Sequence, residues 1–62
     1  MSKYIVYTEI HHDEVERWYY GTYDREKAND VALEMGGAYP IYHCVCKEED
    51  AEELNIQNLP KK

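Results

Sequence analysis

Lys3-Tyr4-Ile5-Val6-Tyr7-Thr8-Glu9-Ile10-His11-His12, followed across Asp13-Glu14 by Val15-Glu16-Arg17-Trp18-Tyr19-Tyr20, is the stretch that decides the fold. The first run alternates and is rich in Tyr, Ile, Val and Thr, as half-buried strands are, and the second, with Val15, Trp18, Tyr19 and Tyr20, repeats that character. They read as a β-hairpin. Asp-Glu is not a preferred two-residue turn, so a loop of three to five residues competes with it. Loop length matters because a slip of one residue moves Trp18 to the other face of the sheet. An odd loop buries the lone Trp with Tyr20 and leaves Arg17 and Tyr19 on the opposite face, within reach of Glu9 or His11. That register is preferred because it keeps the charge in water.

Gly21-Thr22-Tyr23-Asp24 reads as the end of the second strand, with Asp24 as the N-cap of a helix from about Arg25 to Met35. Ala28, Val31, Ala32 and Met35 share one side of that helix, with Leu33 at its margin, while Glu26, Lys27, Asp30 and Glu34 face water. Gly36-Gly37 closes it, since glycine takes the left-handed conformation a C-cap needs. A third strand is expected over Tyr39 to Lys47. The β-β-α-β unit is a single α+β domain over residues 1–62, and a right-handed crossover gives a three-stranded sheet of order 2-1-3. Asp50 to Leu54 is expected to make a short helical turn, Ile56 and Leu59 to pin the tail to the body, and Pro60-Lys61-Lys62 to fray.

Such a sheet has two faces, and a chain of 62 residues offers one helix of any length to cover them. Val6, Thr8 and Ile10 with Tyr42, Cys44 and Cys46 make the better core face beneath the helix. The other face then holds Ile5, Tyr7, Glu9 and His11 with Ile41, His43, Val45 and Lys47. Left open, the group Ile5, Tyr7, Tyr19, Ile41 and Val45 exceeds the apolar surface a solitary domain usually displays, and tyrosine suits interfaces. The surplus points to a protein partner or to a homodimer formed through the sheet face or an edge strand.

Thirteen carboxylates against seven Lys and Arg give a net charge of −6, which argues against direct binding to nucleic acid. Five of the six residues from Glu48 to Glu53 are acidic. The bland reading of such a run is a solvated helix start, and the sharper one is a contact for a basic partner. No apolar run approaches membrane length, and Met1-Ser2-Lys3 leads into strand sequence without a signal-peptide core, so a reduced, cytoplasmic setting is expected.

Cys44 and Cys46 point the same way from adjacent pleats, a poor geometry for pairing with each other. Zinc is not expected: Cys-x-Cys lacks the usual ligand spacing, His11 and His12 point to opposite faces, and His43 faces away from both thiols. Catalysis is not expected either, because the lone serine, Ser2, is terminal, no glycine-rich loop is present, and His11 or His12 beside Asp13 or Glu14 at a hairpin tip has no pocket. No cofactor is implied.

The Tyr-rich hairpin, Gly21-Thr22-Tyr23-Asp24 leading into Lys27-Ala28-Asn29, and the closing Asn55-Ile56-Gln57-Asn58-Leu59-Pro60 together resemble the small acidic orphan proteins carried by bacteriophages and mobile elements of Gram-positive bacteria. The resemblance implies an anti-defence or host-takeover inhibitor acting in the host cytoplasm, and it transfers no residue-level site. Residues expected to contact a partner are Tyr7, Tyr19, Ile41, His43 and Val45 on the sheet, with Glu48, Glu49, Asp50, Glu52 and Glu53 in the acidic segment. The partner on this reading is a host protein with a basic, nucleic-acid-binding surface. The competing expectation is a structural or regulatory homodimer whose acids only aid solubility.

Overall fold

The computed structural model describes residues 3–60. Strand β1 (Tyr4–His11) pairs antiparallel with β2 (Val15–Tyr23), helix α1 (Arg25–Met35) crosses over one face, and β3 (Ile41–Lys47) returns antiparallel to β1. The sheet order is β2-β1-β3, and a 3-10 turn at Glu48–Asp50 opens the tail segment. This is the α+β arrangement expected from the pattern. Lys61 and Lys62, expected to fray, lie outside the described residues.

The hairpin loop is His12-Asp13-Glu14, an odd length, with His11 opposite Val15. Trp18 therefore faces Thr8, and Arg17 faces Glu9. Strand β2 does not stop at Gly21. A bulge in the pairing opposite Val6 and Tyr7 takes up Tyr20, and the strand runs on to Tyr23. Gly21 is a place of close approach: a Cβ there would lie 2.7 Å from Cζ of the Tyr23 ring, which folds back over it.

Helix α1 begins where Asp24 Oδ1 accepts from the Lys27 N–H at 2.9 Å. It ends at Gly36, whose φ of 66° is the left-handed conformation that an L side chain resists, and whose N–H donates to the Ala32 carbonyl. His43 Nδ1 donates to the Gly36 carbonyl at 2.9 Å, which seats the helix end over β3. Val6 beneath α1 and Ala28 on the helix itself are each fully buried. β3 starts at Ile41 rather than Tyr39, because Ala38 and Ile41 exchange main-chain hydrogen bonds and leave Tyr39-Pro40 in the turn between them.

The grouping of faces expected between β1 and β3 is corrected by one residue. Val6 lies opposite Val45, Thr8 opposite His43 and Ile10 opposite Ile41, so Ile41, His43 and Val45 share the α1 side. Tyr42, Cys44 and Cys46 share the other side with Glu9, Tyr7 and Ile5. No tight turn joins β1 to β3, so only burial selects their register. The tail supplies that burial. Ala51 and Ile56 are buried with Ile5 and Tyr7, and Leu54 and Leu59 pack around them with Tyr19, Cys44 and Cys46.

The second sheet face is thus covered by the chain's own C-terminal segment. Tyr7 is only 8% exposed, so its expected place on an open interaction face is overturned, and Tyr19 is half-buried against the same cluster. Asn55 and Asn58 both take left-handed φ values, 57° and 65°, which turn the tail twice so that Ile56 points in. Gln57 then lies along β2: the Tyr19 N–H donates to its carbonyl at 2.9 Å, and its own N–H donates to the Arg17 carbonyl at 2.8 Å.

Candidate interaction surface

Two parts of the molecule carry unusual chemistry, and the first is a charged cluster at the end of the tail-covered face. Glu9 Oε1 lies 2.6 Å from His11 Nε2, and Arg17 Nε donates to Glu9 Oε2 at 2.9 Å. Arg17 Nη1 donates to the Leu54 carbonyl at 3.2 Å. The hydrogen bond from His11, helped by Arg17, holds the Glu9 carboxyl below the usual carboxylate range against the opposing effect of burial. His11 in turn meets the Tyr42 ring edge-on at 5.3 Å. The cluster fastens the hairpin to the tail.

Deeper on the same face, burial first and the neighbouring Cys44 second push the Tyr7 hydroxyl up to about 12. Burial also raises both Cys44 and Cys46 above the ordinary thiol value. Protonated, half-buried thiols are small apolar groups with little nucleophilic character at neutral pH. His43 points to the α1 side, away from them, and among the described residues no group of three His, Cys, Asp or Glu side chains is gathered as a metal site would require.

The second part is the acidic segment. Glu48, Glu49, Asp50, Glu52 and Glu53 are all exposed, and among the described residues none of their side chains has a hydrogen-bond or ion-pair partner. Their backbone is nevertheless tied down. The Glu48 N–H donates to the Lys3 carbonyl at 3.0 Å, the Leu54 N–H donates to the Asp50 carbonyl at 3.3 Å, and Ala51 between the acids is 2% exposed. Five carboxylates therefore project from a short, seated turn.

The sheet residues expected to contact a partner do not form one surface. Tyr7 and Tyr19 belong to the tail-covered face, whereas Ile41, His43 and Val45 belong to the α1 side, with Ile41 exposed and the other two half-buried. Tyr20, expected in the core, is exposed because it is the residue the bulge expels, and its ring stands edge-on to His43 at 6.4 Å. Leu33 is 80% exposed on the outer side of α1, and Tyr39 is exposed in the turn before β3. The helical spacing of Leu33 had placed it at the margin of the apolar stripe; no signal marked Tyr39.

The chain matches no family model, no curated protein and no solved structure. No helix among the described residues is long and apolar enough to cross a membrane.

Proposed function

We propose that this protein is a small acidic binding module that inhibits a host protein by occluding a basic surface, of the kind phages and mobile elements use against host defence. The observation that carries the reading is the seating of Glu48, Glu49, Asp50, Glu52 and Glu53 on a turn anchored by Ala51 and tied to Lys3. Carboxylates on a pinned backbone lose less freedom on binding than those on a loose tail, and they steer encounter with a cationic partner. In this role they stand in for nucleic-acid phosphates. The burial of Tyr7 and half-burial of Tyr19 take the tail-covered sheet face out of the proposal, which rests on the acidic turn as its contact surface.

The test uses purified basic nucleic-acid-binding proteins from a Gram-positive host, each bound to a labelled DNA duplex and followed by fluorescence anisotropy. The wild-type chain should displace DNA from its target, and a variant with Glu48, Glu49, Glu52 and Glu53 changed to Lys should not. Absence of displacement from every member, or equal displacement by the reversed variant, would overturn the reading. The alternative, a structural or regulatory homodimer, is favoured by one separate observation, an unpaired sheet edge.

A further inference from the structure

The two edges of the sheet are not alike. The outer side of β2 is occupied by Gln57, whose main chain bonds to Arg17 and Tyr19. On β3, the Glu48 N–H reaches the Lys3 carbonyl and the Pro40 carbonyl accepts from the His11 N–H, so the even-numbered residues aim their main-chain groups at β1. The odd-numbered residues then aim outward. Ile41 satisfies its outward groups with Ala38. His43, Val45 and Lys47 have no main-chain partner on that side among the described residues.

Proteins that stay monomeric usually guard such an edge with inward charge, proline or a bulge. This one has Pro40 just before the strand and Lys47 at its end, and nothing of the kind between. No carboxylate occurs from Ile41 to Lys47 in a chain that has thirteen of them. The open window is also self-matched. It is bounded at Ile41 by the Ala38 turn and at Lys47 by the 3-10 turn, and Val45 lies midway between His43 and Lys47.

We infer that the β3 edge pairs antiparallel with β3 of a second copy about a two-fold axis at Val45, joining two sheets into one of six strands. In this register Val45 faces Val45 of the partner and His43 faces Lys47, both as hydrogen-bonded pairs. Cys44 and the partner subunit's Cys46 then face each other in non-hydrogen-bonded pairs, once on each side of the axis. Opposed residues of that type have Cα atoms about 4.5 Å apart, within the range a disulfide spans. The two acidic turns do not forbid the contact, because Glu48 and the partner's Glu48 are six strand positions apart, about 20 Å at strand spacing. That exceeds the screening length of roughly 8 Å at physiological ionic strength. The dimer would present two acidic turns at opposite ends of one sheet.

The register makes the test specific. Absolute mass by light scattering over a dilution series should give a dimer for the reduced wild-type chain. Diamide, which takes up the two protons and two electrons released by each new disulfide, should convert it to a covalent dimer on a non-reducing gel. Cys44→Ser and Cys46→Ser should each abolish that product while leaving the mass in solution dimeric, because each thiol then faces a hydroxyl. Val45→Pro removes an outward N–H without touching the bonds to β1, and should give a folded monomer by circular dichroism and scattering. If Val45→Pro fails to fold, the single-cysteine comparison still decides. A monomeric wild-type mass, or single-cysteine variants that cross-link as well as the wild type, would overturn the register, and a monomer would leave the edge to a strand of another protein.

Discussion

Arg17 donates from Nη1 to the main-chain carbonyl of Leu54 at 3.2 Å, so a side chain of the hairpin holds the segment that roofs its own sheet. The same guanidinium grips Glu9 through Nε. Replacing Arg17 by Met keeps the apolar stem but strands the Leu54 carbonyl and leaves Glu9 with His11 alone. Hydrogen bonds involving a charged group contribute about 1.5–3 kcal/mol, and partial exposure of the pair places the expected loss at the lower end. Urea unfolding of Arg17→Met should show that loss in the midpoint. A change within about 0.5 kcal/mol, the usual range for an uninvolved surface position, would show that the contact contributes nothing.

Alkaline pH should destabilise the fold through Tyr7. Its hydroxyl rises from 10.0 to about 12 in the folded state, so the native protein holds that proton more tightly than the unfolded chain does. The contribution is complete below pH 10 and is lost as pH rises towards about 12. Cys44 and Cys46, raised by burial, act in the same direction and begin lower, near the ordinary thiol value. Tyr7→Phe should therefore flatten the upper part of the decline, by on the order of 1–3 kcal/mol, and leave the lower part in place. The pH dependence of urea midpoints for the two proteins measures this directly, and superimposable curves would exclude Tyr7 as the source.

The parts legible in the sequence were those fixed by local chemistry. The Asp24 cap, the Gly36 stop and the periodicity of Ala28, Val31 and Ala32 located α1, and the preference for burying Trp18 picked the odd hairpin loop. The neighbourhood of β1 and β3 was legible from the crossover, but their register was not. The two strands are joined through β2 and the helix, and neither face grouping of Ile41 to Lys47 carries a carboxylate to mark it as the outward one. The choice between them rests on a third element, the tail, whose Ala51 and Ile56 need the face that carries Tyr7 and Cys44. The same reason hid the fate of Tyr7: an aromatic that looks exposed when one helix is counted is buried once residues 51–59 are counted as a layer.

Gly21 should resist substitution for a reason located in Tyr23. An alanine Cβ at position 21 would come within 2.7 Å of the Tyr23 ring, so the ring must leave its place over the strand. Overpacking of this kind costs roughly 1–3 kcal/mol. Tyr23→Ala clears the space, so Gly21→Ala should cost much less in that background, and the difference is the coupling between the two residues. Thermal or urea denaturation of the four proteins in the cycle gives it. Additive effects would mean that Gly21 is required for the bulged backbone itself and not for the ring.

The tail should prove to be part of the domain rather than an appendage. Ile56 is 5% exposed in the cluster with Ile5, Tyr7 and Ala51. Truncating a buried isoleucine to alanine costs about 2–5 kcal/mol, a large share of what a chain this short can hold, since it buries only about 60% of its unfolded surface. Ile56→Ala should therefore lower the urea midpoint steeply. It should also expose the apolar face of Tyr7 and Tyr19 and raise the fluorescence of a bound hydrophobic dye below the unfolding transition. Because Ala51 sits in the same cluster, the acidic turn should loosen with it, and amide exchange at Ala51 and Leu54 should quicken more than at Val6 under α1. Equal quickening at all three would mean that the tail and sheet open only together, as one cooperative unit.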